Sequence, residues 1–270
     1  VAFAVRKPID QNYKWILGFI SIVILASLYQ ALSMYQHSIN PTDKTIPSFY
    51  QLWQGLIQVV TPDSYGHRWL VDDVSSTFFR HATGLGVGVA FSIVIGICMG
   101  AFPMVEYLLL PTLSFLTRIP PTAMMSVFFV LIVSTGNPLF ITMIAFGVIP
   151  TLTQAVYQSA KYDVKDNLIH KAYTLGASNF EVIYNVIFKT IQPRIFESVR
   201  LQIGPAMVYL IAAESLVADV GFGYRLRIQG RQLDMNIVYD YIVILGIAGF
   251  VMDYALTYIR TKVCPWFESK

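Results

Sequence analysis

The chain has 270 residues, of which 55% are hydrophobic and only 13% charged, with a net charge of +3 and a mean hydropathy of +0.57. Soluble domains carry about 25% charged residues, so this balance argues against an ordinary soluble domain and points to the bilayer. So small a net charge gives no argument for nucleic acid, and the two cysteines, Cys98 and Cys264, have no metal-ligand spacing.

Residues 1–13 read as a polar lead-in with Arg6 and Lys7. Val1 in place of Met points to a trimmed start or a non-ATG codon. Residues 14–36 are apolar over a length that spans a bilayer, too long for a cleavable leader. Arg6, Lys7 and Lys14 before that run favour a cytoplasmic N-terminus. Residues 37–74 are polar and punctuated by Pro41, Pro47 and Pro62. Within them Phe49, Leu52, Trp53, Leu56 and Val60 recur at helical spacing. This predicts an amphipathic helix on the outer surface, with Tyr50 and Trp53 at headgroup depth.

The second span is 75–101. Gly84, Gly88, Ser92, Gly96 and Gly100 recur every four residues and form one ridge of small side chains. Such a ridge lets another helix approach closely, read first as packing within the subunit and second as a dimer face. Residues 104–135 are apolar but broken by Pro111 and by Arg118-Ile119-Pro120-Pro121. Proline removes a backbone donor and clashes one turn back, so Pro120 and Pro121 interrupt or start a helix. Two readings stand: one kinked span with Arg118 near mid-membrane, or a surface segment followed by a short helix from Pro120. Arg118 is either a functional group inside the membrane or a side chain reaching the cytoplasmic headgroups.

Gly136-Asn137-Pro138 marks a turn, and 139–158 is the fourth span, with Gly147 and Pro150 permitting a kink. The fifth span is 194–219 and carries Glu214, a carboxylate that should pair or face water. Residues 225–239 form an outer loop whose Arg225, Arg227 and Arg231 either draw an anionic solute or an acidic docking surface, or face solvent and headgroups. The sixth span is 238–258, with Gly246 and Gly249 for close packing. Asp253 near its inner end is expected to pair with Arg200 or Arg260. Six spans leave both termini and residues 161–193 on the side holding most of the Lys and Arg, the cytoplasmic side.

Residues 161–193 are the one long polar interval between apolar runs. Leu168, Ala172 and Leu175, then Val182, Ile183, Val186 and Ile187, fall at helical spacing around Gly176-Ala177-Ser178. Gly176 closes a first helix, and Ser178 with Glu181 three residues on forms a capping box for a second. This predicts a helix, a tight turn and a helix at the membrane surface, with an apolar face that something must cover. The chain has no Gly-x-x-x-x-Gly-Lys-Ser/Thr phosphate cradle, no His-Glu-x-x-His and no Gly-x-Ser-x-Gly, and its four histidines (His37, His67, His81, His170) are scattered. Hydrolase chemistry has no support in these residues.

The run His170-Lys171-Ala172-Tyr173-Thr174-Leu175-Gly176-Ala177-Ser178, closing at Gln192-Pro193, resembles the EAA loop of ABC-importer permeases, with His170 where the family usually has Glu. Ser76-Thr77-Phe78-Phe79-Arg80 with Gly84, Ile119-Pro120-Pro121 after Arg118, and Glu214 with Gly221-Phe222-Gly223-Tyr224 resemble the family at three further places. The likeness is greatest to the nitrate, sulfonate, taurine and bicarbonate branch. It implies an all-α membrane protein of about six transmembrane helices, with the type I importer (MetI-like) architecture, in a bacterial inner membrane. It implies one permease domain over 1–270, with a periplasmic amphipathic loop at 37–74 and a cytoplasmic coupling loop at 161–193. It implies a coupling surface of Leu168, His170, Lys171, Ala172, Leu175, Gly176, Ala177, Ser178 and Phe180, and translocation-path candidates Arg118, Pro120, Pro121 and Glu214. The implied partners are two ABC ATPase subunits holding ATP and Mg, a second permease copy, and a periplasmic or lipid-anchored solute-binding protein. This chain itself would hold no cofactor or metal, bind no nucleic acid and be no enzyme. The solute would be a small anion of the nitrate, sulfonate or bicarbonate kind, or a small nitrogen compound. The alternative is a stand-alone secondary transporter or channel, which calls for a membrane charge relay and usually an internal repeat.

Overall fold

The computed structural model describes residues 11–40, 44–62, 66, 68–132 and 136–267. Arg6, Lys7, Pro41, His67 and Lys270 fall outside them. The described residues hold helices and no β-strand: α1 (Gln11–Ile39), α2 (Phe49–Val60), α3 (Trp69–Ala101), α4 (Pro103–Leu116), α5 (Met125–Leu131), α6 (Asn137–Gln158), α7 (Asp166–Thr174), α8 (Asn179–Glu181), α9 (Lys189–Val217), α10 (Phe222–Gln232) and α11 (Met235–Val263). A short 3-10 turn, Pro121–Met124, leads into α5. Wide π-type turns occupy Ser159–Asp163 and Val182–Phe188.

Among the described residues, five helical runs are long and apolar enough to cross a bilayer: Tyr13–Ile39, Trp69–Ala101, Asn137–Asp163, Asn179–Val217 and Met235–Val263. The sixth crossing follows from how α3 and α6 lie. A Cβ added at Gly84 would fall 2.8 Å from Ile144; at Gly88, 3.1 Å from Val148; at Gly96, 2.7 Å from Val156; at Gly100, 2.4 Å from Ala160. Partner numbers rise together, so α3 and α6 run parallel with their backbones in close approach. The small-residue ridge is therefore a seam within the subunit. Parallel neighbours require a return crossing between them, and α4 and α5 are the helices there. The return is broken: α4 and the Pro121–Leu131 segment meet at 85°.

The depth of that break is set by Gly147, halfway along α6. The Pro121 Cγ and the Tyr209 ring both press on Gly147, at 3.1 and 2.3 Å from where a Cβ would stand. Arg118 therefore lies in the turn of a broken crossing, near mid-span. Gly147 lets α9 and Pro121 close on α6, which is helical from Asn137 to Gln158 with Pro150 inside it.

The core forms around α6, whose Leu139, Phe140, Met143, Ile144, Val148, Leu152 and Val156 meet Ile191, Ile195, Ala206 and Leu210 of the α9 run. A second cluster on the other side joins Val59, Phe222, Ile237 and Tyr241. It explains two corrections to the boundaries. Helix α3 starts at Trp69 rather than 75, because Trp69, Leu70 and Val74 pack on this cluster. The expected outer loop at 225–239 is mostly α10, because Phe222 is fully buried there and Leu233, at φ 60°, ends the helix in the left-handed region. The α2 face also divides. Leu52, Gly55, Leu56 and Val59 turn inward, while Phe49, Tyr50, Trp53 and Val60 remain exposed. Gly246 and Gly249 meet nothing within 4 Å and line an open apolar groove between α9 and α11 instead of a close helix contact.

Candidate functional site

The elbow at 166–188 is built by local rules. Helix α7 ends in a Schellman motif: Ala177 N–H donates to Ala172 O at 3.1 Å, and Gly176 N–H to Tyr173 O at 2.9 Å. Gly176 adopts φ +84°, where a side chain is strained. Ser178 then caps the next helix: its Oγ accepts from Glu181 N–H, and its own N–H donates to the Glu181 carboxylate at 2.8 Å. The capping box predicted from Ser178 and Glu181 is thus formed. Tyr173 Oη donates to Asn179 Oδ1 at 3.0 Å across the turn, a brace that spacing alone did not indicate.

The elbow has two faces. Ile169, Ile183 and Val186 pack on the main core, and Val182 and Ile187 are buried. Leu175 is 87% exposed and Phe180 75%, with Leu168, Tyr173 and Tyr184 also exposed beside His170 and Lys171. Phe180, Tyr184 and Phe188 stack in sequence, with centroids 6.4 and 5.8 Å apart. Their i, i+4 spacing could have identified this aromatic row in the sequence. Ala172 and Ala177 are half-buried. The second helix differs from expectation: it is no separate surface helix, because Asn179–Val217 is one helical run containing Pro193. Any displacement of the elbow therefore acts directly on a helix that crosses the membrane.

At the opposite end, Glu214 is fully buried. Its carboxylate lies 3.0 Å from Thr77 Oγ1, 2.9 Å from Arg80 Nη1 and 3.0 Å from Gly223 N. Arg80 also donates to Val220 O and Asn137 Oδ1, and stacks on Phe140 at 4.4 Å. Asp73, also fully buried, accepts from Gly221 N and Arg225 Nε at 2.8 Å and from Tyr241 Oη at 2.7 Å. Gly221 and Gly223 permit this closeness; a Cβ on Gly221 would stand 2.6 Å from Glu214 Oε1, and one on Gly223 2.3 Å from Ile211 O. Two buried carboxylates thus tie α3, α9, α10 and α11 together. Glu214 is enclosed in this clamp and faces no open path, which corrects its assignment as a path residue. Arg225 also belongs to the clamp, so it neither draws solute nor faces solvent. Its partner Asp73 was not singled out in the sequence; the only hint was an acid one turn before Thr77 and two before Arg80.

Open polar surface at membrane depth lies elsewhere. Gln154 Nε2 donates to Ser114 Oγ at 3.4 Å, and Thr151 Oγ1 donates to Gln202 Oε1 at 3.2 Å. Ser114 and Arg118 are exposed, as is Pro120; Thr151, Gln154, Gln202 and Pro121 are half-buried. Between α6 and α9, Gln158, Ser159, Asp163, Arg194, Glu197 and Ser198, with Ala155, Tyr162 and Leu201, line a groove of about 520 Å³. Polar side chains are costly against lipid and normally face a water-filled cavity or other protein. This face therefore calls for water or other protein against it, and the amides and hydroxyls on α6 and α9 were missed because each is unremarkable alone. Asp253 pairs with Arg200, one of its two expected partners, while Arg260 takes Glu197 at 2.8 Å.

The model of the binding-protein-dependent transport system inner membrane component family matches residues 88–263. The chain is 25% identical to the taurine transport system permease protein TauC of Escherichia coli (strain K12), over 97% of this chain and 92% of that one. It is 25% identical to the putative aliphatic sulfonates transport permease protein SsuC of Bacillus subtilis (strain 168), over 98% and 92%. It is 24% identical to the nitrate import permease protein NrtB of Synechocystis sp., over 96% and 94%. In fold it is similar to a chain of the MetNI methionine ABC transporter in an inward-facing conformation, with a TM-score of 0.65, 15% identity, and coverage of 72% of this chain and 96% of that one. The all-helical fold, the multiple spans and the family match converge: the chain belongs to the inner membrane components of binding-protein-dependent transport systems, as a multi-pass ABC importer permease subunit and not an enzyme.

Proposed function

We propose that this permease admits a small oxyanion to the cytoplasm, driven by a separate ATPase that docks on the elbow at 166–188. The observation that carries the reading is the exposed apolar row of Leu175 and Phe180 on a backbone already held rigid by its own caps. Burying each such side chain is worth about 1.5–3 kcal/mol, so leaving both in water is costly unless a partner covers them. Charge supports the orientation. Lys161, Lys165, Lys171, Lys189, Arg194, Arg260 and Lys262 lie on the elbow side, and most Lys and Arg belong to the cytoplasmic side. On this reading both termini are cytoplasmic, α2 lies outside, where a solute-binding protein delivers its load, and two copies of the chain with two ATPase subunits form the transporter.

The solute would pass along the wall of Ser114, Arg118, Thr151, Gln154 and Gln202, beside Pro120 and Pro121, with a second copy closing the other side. Support for an anion comes from Arg118 at mid-depth and from relatives named for taurine, aliphatic sulfonates and nitrate. The elbow claim is tested by Gly176→Glu. The variant should stay in the membrane at normal level yet fail to co-purify with its ATPase. Normal co-purification, or a Ser178→Cys variant labelled only from outside the cell, refutes the docking reading.

A further inference from the structure

We propose that Glu106, Tyr157 and Lys161 form a strut that carries movement of the elbow to the broken crossing at Arg118. The inference rests on the elbow being the ATPase dock. Glu106 lies in the first turn of α4, and its residue is only 7% exposed. Its Oε1 accepts from Tyr157 Oη at 2.6 Å and from Lys161 Nζ at 2.5 Å. Lys161 Nζ also lies 3.3 Å from Tyr157 Oη, closing a three-membered polar cluster.

The placement of the cluster gives it a role beyond stability. Tyr157 and Lys161 are one turn apart and share a helix face. Lys161 sits in the wide turn Ser159–Asp163, the last helical segment before the elbow. The cluster therefore fastens the base of the elbow to the start of α4. Elsewhere α4 rests on a small apolar cluster around Met99, Leu113 and Tyr157, and its other side, with Tyr107 and Leu108, is uncovered. A helix held along one side and pinned at its start can tilt as a unit. From Glu106 to Arg118 is 12 residues, about 18 Å at helical rise, so a small shift at the pin displaces the break beside the path wall. Apolar contacts permit sliding, whereas this ion pair resists separation because parting the charges leaves the enclosed Glu106 carboxylate uncompensated.

The test uses the permease purified together with its ATPase, with spin labels on cysteines at Phe115 and Val208, both exposed. The probe is ATP, with hydrolysis and the label separation read in parallel. In the otherwise unaltered complex nucleotide should change the separation. Glu106→Gln and Lys161→Met should keep hydrolysis while losing most of that change. The charge swap Glu106→Lys with Lys161→Glu should restore it, which a merely stabilising pair would not require. Should Glu106→Gln fail to accumulate, Lys161→Met carries the test alone, since the Lys161 side chain is 35% exposed and its removal disturbs less packing. An undiminished separation change in the single variants overturns the strut and leaves the docking reading intact. A nucleotide-insensitive separation in the unaltered complex overturns coupling through this chain altogether, and the strut with it.

Discussion

The clamp and the elbow obey the same rules and come out oppositely. At the clamp, Asp73 and Glu214 are wholly enclosed, each carboxylate accepts bonds from three residues, and every donor comes from this chain. At the elbow, the backbone is just as well satisfied by a Schellman motif and a capping box, but the side chains it presents are left uncovered. The clamp is complete in one chain. The elbow is preformed, with its surface unanswered. A rigid frame that exposes apolar side chains loses little conformational entropy on binding, which is the condition for a tight contact of modest size.

The comparison breaks hardest at the clamp. Arg80→Ala would leave Glu214 buried without its cation, a loss of about 3–5 kcal/mol. Thermal unfolding in detergent should then show a large drop or no folded protein, and a Tm close to the parent's would contradict the clamp. The seam comes next. Gly96→Leu must intrude on Val156 and on the Thr153 carbonyl, whereas Gly86 on the same helix meets nothing within 4 Å. Overpacking costs about 1–3 kcal/mol, so Gly96→Leu should destabilise measurably while Gly86→Leu does not. Equal stabilities for the two would remove the parallel seam and, with it, the argument that α4 and α5 make a return crossing. The smallest effect on the chain itself is expected at the elbow. Leu175→Ala and Phe180→Ala should shift stability by no more than about 0.5 kcal/mol, as exposed positions do. The same two changes should weaken ATPase binding by about 10-fold or more each, following the area they would bury. A large fall in permease stability would mean that the elbow face is already covered from within.

Much of this was legible beforehand because its causes are local. The spans are set by apolar length, the seam by a repeat of four, and the elbow by a glycine followed two residues later by a Ser that has a Glu at capping distance. What was misread depends on distant contacts. Glu214 looked like a path residue because a lone carboxylate in a span invites that reading; its donors come from residues 77, 80 and 223. Pro193 looked like the end of a surface loop, yet it lies inside one helix from Asn179 to Val217. The amides of Gln154 and Gln202 carried no signal singly and form one polar face only where α4, α6 and α9 converge.

The sequence by itself determined that the chain crosses a bilayer several times, that one helix offers a ridge of small residues, and that an interrupted polar elbow stands between two spans. Each of these is a periodicity or a length, written within a few turns of chain. Only the tertiary structure decided that the ridge faces α6 in parallel, that α4 and α5 return at a sharp bend, and which charges are satisfied and which lie open. Those outcomes depend on groups tens to over a hundred residues apart, and no local pattern records which of them will meet.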